Sequence, residues 1–245
     1  MKTQMKQNND GAMPITSHLL ELRKRLVIIF LTVLVFSFIS FLFSEDLIKN
    51  LMSLSKGYKF IYNTPEALII QSLKLAIISG IVLSSPVIFF NIWMFVSPAL
   101  KVTERVVITI IFTLGVVLFL VGCVFAYYII IPFVLKFFVE SNSISELQAY
   151  VTLEGYISII VSFFIAFGLV FELPVVLLCL DIAGIARRKT FVNMRKFAIV
   201  IICIVSGIIT PPDVFSLVVT AIPMVILFEL SLFIMYLYEK ITKKN

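Results

Sequence analysis

Glu21 and Glu104 are solitary carboxylates among bases, in Leu19-Leu20-Glu21-Leu22-Arg23-Lys24-Arg25 and in Leu100-Lys101-Val102-Thr103-Glu104-Arg105. A carboxylate accepts a guanidinium bidentately, with a geometry that lysine cannot match. Two such acids on one surface could therefore recognise a partner carrying paired arginines. The same residues admit local pairs, Glu21 with Arg25 at i,i+4 and Glu104 with Arg105 or Lys101, each worth only about 0.3–0.5 kcal/mol. Taken alone, residue chemistry favours those local pairs.

A third carboxylate, Glu172, lies inside an apolar run, Phe167-Gly168-Leu169-Val170-Phe171-Glu172-Leu173-Pro174. An ionisable group at membrane depth is costly and usually functional. Pro174 has no N–H to donate, so the helix is expected to kink there beside the carboxyl. That combination points to a water-lined hollow or to the polar side chain of a partner; the alternative is a protonated Glu172 bonded to a neighbouring helix. Glu229 is expected near a membrane interface, paired with a nearby lysine or serving a partner. Lys74 is expected to snorkel, and His18 reads as interfacial. Cys123, Cys179 and Cys203 sit in apolar runs as small hydrophobes, without the spacing of a metal site. Neither a metal nor a cofactor is expected.

The elements that carry these residues are set by composition. Of 245 residues, 61% are hydrophobic and 14% charged, and mean hydropathy is +1.12. Soluble domains run about 45–50% apolar and about 25% charged. The excess excludes a soluble enzyme, a disordered chain and a nucleic-acid module; the chain is expected to be an all-α polytopic membrane protein. Crossing about 30 Å of hydrocarbon takes about 20 apolar residues. Six runs qualify or nearly so: about 26–43, 75–96, 106–135, 156–180, 197–209 and 214–236. The last two read as short, parted only by Thr210-Pro211-Pro212-Asp213. About 13 residues at 1.5 Å each give a fifth helix of about 20 Å, so either the outer tip of that hairpin lies below the usual membrane surface or the bilayer thins locally, the alternative being an ordinary span from which Arg195, Lys196 and Thr210 snorkel. Prolines 86, 98, 132, 174 and 223 recur in or beside the runs, and bent helices assemble into a concave bundle.

Residues 1–17 read as a flexible tail, 18–239 as the membrane domain and 240–245 as a second tail; the first apolar run is too long for a signal core and no cleavage site follows it at Ser44-Glu45. With six spans, both termini and the second and fourth connections share one side. That side holds fifteen of the twenty Lys and Arg residues, against Lys49, Lys56, Lys59, Lys74 and Lys136 on the other. The bias places both termini in the cytoplasm.

These residues resemble the TatC family, the large polytopic subunit of the twin-arginine protein translocase. The matching stretches are His18 to Leu26, Asn63-Thr-Pro-Glu66, and Ser85 through Phe95 and Pro98-Ala-Leu100 to Glu104-Arg105. Tyr127-Tyr128 with Pro132, Phe167-Gly168 with Phe171 to Pro174, Thr210 to Ser216, Ala221-Ile-Pro223 and Glu229 follow in family order. The resemblance implies that Glu21 and Glu104, with Arg23 and Phe95, dock the twin-arginine signal peptides of folded cargo. It implies that Glu172 faces a signal-peptide hairpin or partner helix on the concave side. It further implies that Thr210, Pro211, Pro212, Asp213, Ser216 and Glu229 meet TatA-type and TatB-type single-span proteins. Other TatC copies and the lipid bilayer are the remaining partners, and no nucleic acid is expected. Two positions depart from the family: Leu217 and Asn91 stand where glutamine is common.

The resulting expectation is a non-enzymatic receptor of the cell membrane that organises folded-protein export driven by the proton motive force. The competing reading is a proton-coupled small-solute carrier using Glu172, which needs more intramembrane charge than the chain has. A third is a structural scaffold, in which Glu172 affects stability alone.

Overall fold

The computed structural model describes residues 15–54, 59–61, 64–96, 102–141, 150–210 and 213–242. Ten helices are found among them: α1 (Ile15–Leu42), α2 (Ser44–Ser53), α3 (Ala67–Val96), α4 (Val102–Phe125), α5 (Ile131–Ser141), α6 (Leu153–Val170), α7 (Leu173–Ile182), α8 (Arg188–Asn193), α9 (Arg195–Ile209) and α10 (Val214–Thr242). Five helical stretches are long and apolar enough to cross a membrane, and α9 forms a shorter sixth. At 15 residues, α9 is about 22 Å long, well below a bilayer's hydrocarbon thickness. The fold is an all-α bundle, as its composition requires. The sixth helix departs from expectation: α10 has 29 residues, because the helix continues past the end of the apolar run at Tyr236.

Proline positions show how this backbone tolerates the absence of water. Pro86 cannot donate to the carbonyl of Val82, and the Ser85 hydroxyl does so instead at 2.7 Å. Ahead of Pro132 the chain widens into a π-turn over Ala126–Ile130, with the Ile131 N–H reaching Ala126. Helix α4 thus runs on into α5 as one span. At Pro174 the span does break: Glu172 N–H bonds to Leu169 at 3.1 Å, a three-residue turn, before α7 begins. The kink expected beside Glu172 is present.

Helix α6 is central, its buried face formed by Ile157, Ile160, Phe163 and Phe167. Helix α1 is peripheral and packs along α3. Ser37 of α1 meets Gly80 of α3, where any Cβ would collide with it. Nearer the far end of α1, Ile39, Ser40 and Phe43 share a cavity with Leu75, Ile78 and Ser79 near the start of α3. The two helices are therefore antiparallel.

Opposite the end where α1 begins, a small cap ties the bundle together, and the sequence reading did not foresee it. Helix α2 lies against α3, and two three-residue strands, β1 (Lys59–Ile61) and β2 (Tyr150–Thr152), pair in parallel with Phe60 opposite Val151. The Phe60 ring packs edge-on against Tyr156 at 4.9 Å, and the buried Tyr156 hydroxyl donates to the Leu51 carbonyl. Residues 1–14 and 243–245, Pro98, Lys101, Pro211 and Pro212 lie outside the described residues. Within the tails expected at 1–17 and 240–245, Ile15 to Ser17 are helical in α1 and Lys240 to Thr242 in α10.

Candidate functional site

Helix alternation brings the sequence-selected acids to one end of the bundle. From Ser37 back to Glu21 is sixteen residues, and sixteen forward from Gly80 reaches Val96, so Glu21 stands level with the end of α3 and with Phe95. Residues 97–101 then join α3 to α4, whose first turn holds Glu104. The Glu104 side chain is outside the described residues.

Glu21 is only partly exposed and accepts two bonds from Arg25, one turn later on α1. Arg25 Nε donates to Glu21 Oε1 at 3.1 Å, and Nη2 donates to the same oxygen. Among the described residues, Oε2 accepts no hydrogen bond. The local pair anticipated from the i,i+4 spacing is formed, yet it occupies half of the carboxylate. Arg23 projects outward and Phe95 is half-buried.

Glu172 stands at the N-cap position of α7 without a side-chain capping bond, and the residue is 7% exposed. Among the described residues its Oε1 has no hydrogen-bond partner. Its Oε2 lies 3.1 Å from where a Cβ on Gly115 would stand, so the glycine in α4 makes room for the carboxyl. The acid opens on a cavity of about 560 Å³ between α3, α4 and α7, walled by Ile88, Phe89, Phe112, Phe119 and Val175. Ser85 and Cys179 are its other polar lining, and the Ser85 proton already serves Val82. A buried carboxyl oxygen without a hydrogen bond is costly, and a donor that reached it through a small rearrangement of the hollow would remove that cost. A second glycine sets the helix spacing here: at Gly122 a Cβ would come 2.5 Å from the Phe167 carbonyl oxygen.

The remaining predicted residues do local work. Asp213 caps α10, its Oδ1 accepting the Ser216 N–H at 2.7 Å. Thr210 is buried and its hydroxyl donates to the Ser206 carbonyl at 2.8 Å. Among the described residues Ser216 Oγ, Thr220 Oγ1 and Asp213 Oδ2 are buried without partners, leaving a polar seam at that end of the α9–α10 hairpin. Glu229 pairs with Arg195 of α9 at 2.8 Å, whereas Lys74 donates to Ser158 of α6 at 3.4 Å. Sequence reasoning passed over Gly115, Gly122, Tyr156 and the contact of Arg188 with Glu239; only the Asp213 cap, an acid just before an apolar run, carried a readable signal.

A family model described as TatC, Sec-independent protein translocase protein, matches residues 17–223. The Sec-independent protein translocase protein TatC of Magnetococcus marinus is 35% identical over 90% of this chain and 83% of its own length. That of Aquifex aeolicus is 34% identical over 91% and 94%, and TatCy of Bacillus subtilis is 33% identical over 95% and 91%. A crystal structure of the twin arginine translocase receptor TatC superposes with a TM-score of 0.81 at 33% identity, covering 90% of this chain and 98% of the other.

Proposed function

This chain belongs to the TatC family, a multi-pass membrane component of the Sec-independent protein translocase and not an enzyme, and from that premise we propose that it is the receptor for twin-arginine signal peptides. In this reading one arginine of the peptide binds Glu21, the other binds Glu104, and Arg23 and Phe95 flank them. The supporting observation is the half-used Glu21 carboxylate: Arg25 holds Oε1 and leaves Oε2 to a second guanidinium. An incoming arginine can displace a pair that contributes only about 0.5 kcal/mol. The excess of bases at this end supports an orientation in which it, with both termini, faces the cytoplasm of a cell membrane.

The peptide's apolar part, or a partner helix, then lies along the hollow beside Glu172. The seam from Thr210 through Pro211, Pro212 and Asp213 to Ser216, with Glu229, contacts TatA-type and TatB-type single-span proteins, and further TatC copies complete the assembly. Export draws on the proton motive force. With the family established, the solute-carrier reading is set aside. Photo-crosslinkers placed beside Glu21 and in the hollow test the proposal: a twin-arginine signal peptide must reach both positions, and a peptide that reaches neither refutes it.

A further inference from the structure

The corner where α8, the start of α9 and the end of α10 meet has more positive charge than the bundle consumes. Six bases gather there: Arg187, Arg188, Lys189, Arg195, Lys196 and Lys240. Each acid in the corner is already engaged. Glu239 pairs with Arg188 at 3.5 Å, Glu229 pairs with Arg195 at 2.8 Å, and Asp181 Oδ1 accepts the backbone N–H of Arg188 at 3.2 Å. The Arg188 guanidinium also lies over the Tyr236 ring, 4.8 Å from its centroid. These contacts clamp α8 and α9 onto α10. Arg187, Lys189, Lys196 and Lys240 are exposed, and none of the four has an ion pair among the described residues.

Apolar side chains flank these bases and face outward: Phe197 is 65% exposed, Met194 48%, and Ile185, at the rim of the hollow beside Glu172, 75%. Cations beside exposed apolar groups at a span end match the two halves of one ligand class, a negatively charged head with hydrocarbon below it. An acidic protein surface would satisfy the charge but not the outward Phe197 and Ile185. We propose that this corner binds the headgroup of an anionic phospholipid through Arg187, Lys189 and Lys196, with its acyl chains against Ile185, Met194 and Phe197. The bound lipid would brace the start of α9, the shortest of the spans.

Native mass spectrometry of the purified full-length chain, incubated with phosphatidylglycerol or with phosphatidylcholine of the same acyl chains, tests the site. Wild type should retain phosphatidylglycerol in preference. The triple variant Arg187→Gln, Lys189→Gln, Lys196→Gln should retain at least about tenfold less of it, with phosphatidylcholine unchanged. The charge-keeping variant Arg187→Lys, Lys189→Arg, Lys196→Arg should behave as wild type, which separates charge recognition from misfolding. The proposal is overturned if wild type shows no preference, leaving an acidic protein as the occupant, or if the neutral variant retains phosphatidylglycerol undiminished. Loss of retention in the charge-keeping variant, or displacement of the lipid by an equal concentration of inorganic phosphate, would overturn it as well.

Discussion

Arg25 donates from both Nε and Nη2 to one oxygen of Glu21, a single turn earlier on α1. Under the proposed reading the pair is a placeholder rather than a structural support. It occupies Oε1 and leaves Oε2 without a hydrogen bond among the described residues, so under the proposed reading a second guanidinium competes with Arg25 for one carboxylate.

Removing the internal donor should therefore favour the external one. Arg25→Gln is expected to change unfolding stability by no more than about 0.5 kcal/mol and to tighten binding of a twin-arginine peptide by about twofold. Fluorescence anisotropy with a labelled peptide checks this; a large loss of affinity would mean that Arg25 is itself part of the receptor surface.

Gly115 and Glu172 should be coupled. Gly115→Leu drives a side chain into the space of the Glu172 carboxyl and the Phe89 ring, and overpacking of this kind costs about 1–3 kcal/mol. Glu172→Gln, with the same shape, should leave thermal unfolding almost unchanged yet diminish crosslinking between the hollow and a signal peptide or partner helix. A Glu172→Gln protein that unfolds early but crosslinks normally would assign this acid to stability alone.

The turn between α9 and α10 depends on its cap. Asp213→Ala removes the acceptor for the Ser216 N–H and should lower stability by about 1 kcal/mol, whereas Asp213→Asn should restore most of it. Thermal unfolding followed by circular dichroism distinguishes the two; equal losses would show that the capping bond is unimportant.

At the opposite end from Glu21, Tyr156→Phe deletes the hydroxyl that α6 extends to the Leu51 carbonyl of α2. The expected cost is about 1 kcal/mol, with faster hydrogen exchange in α2 than in α6. Unaltered exchange in α2 would show that the cap is held by Phe60 and the strand pair instead.

Much of this was readable in the chain. Span positions follow from runs of apolar residues, and the break at Glu172 follows from the missing N–H of Pro174, a purely local effect. The cap was not readable, because β1 and β2 are three residues each and join positions far apart in the sequence, beyond the reach of any local pattern. The end of α10 was misjudged for a related reason: hydrophobicity ends where the bilayer does, while the helix continues as far as Glu239 can meet Arg188. For the candidate site, the acids could be picked out as exceptions in an apolar chain. The room made for Glu172 by Gly115 could not, since a glycine's role in a crossing of α4 and α7 exists only once both helices are placed.

The central claim, recognition of paired arginines by Glu21 and Glu104, is tested most directly by site-specific crosslinking of a signal peptide to the double variant Glu21→Gln, Glu104→Gln. The account predicts that wild type crosslinks an Arg-Arg peptide far more strongly than its Lys-Lys counterpart, and that the double variant treats the two alike. A double variant that still discriminates Arg-Arg from Lys-Lys would contradict it.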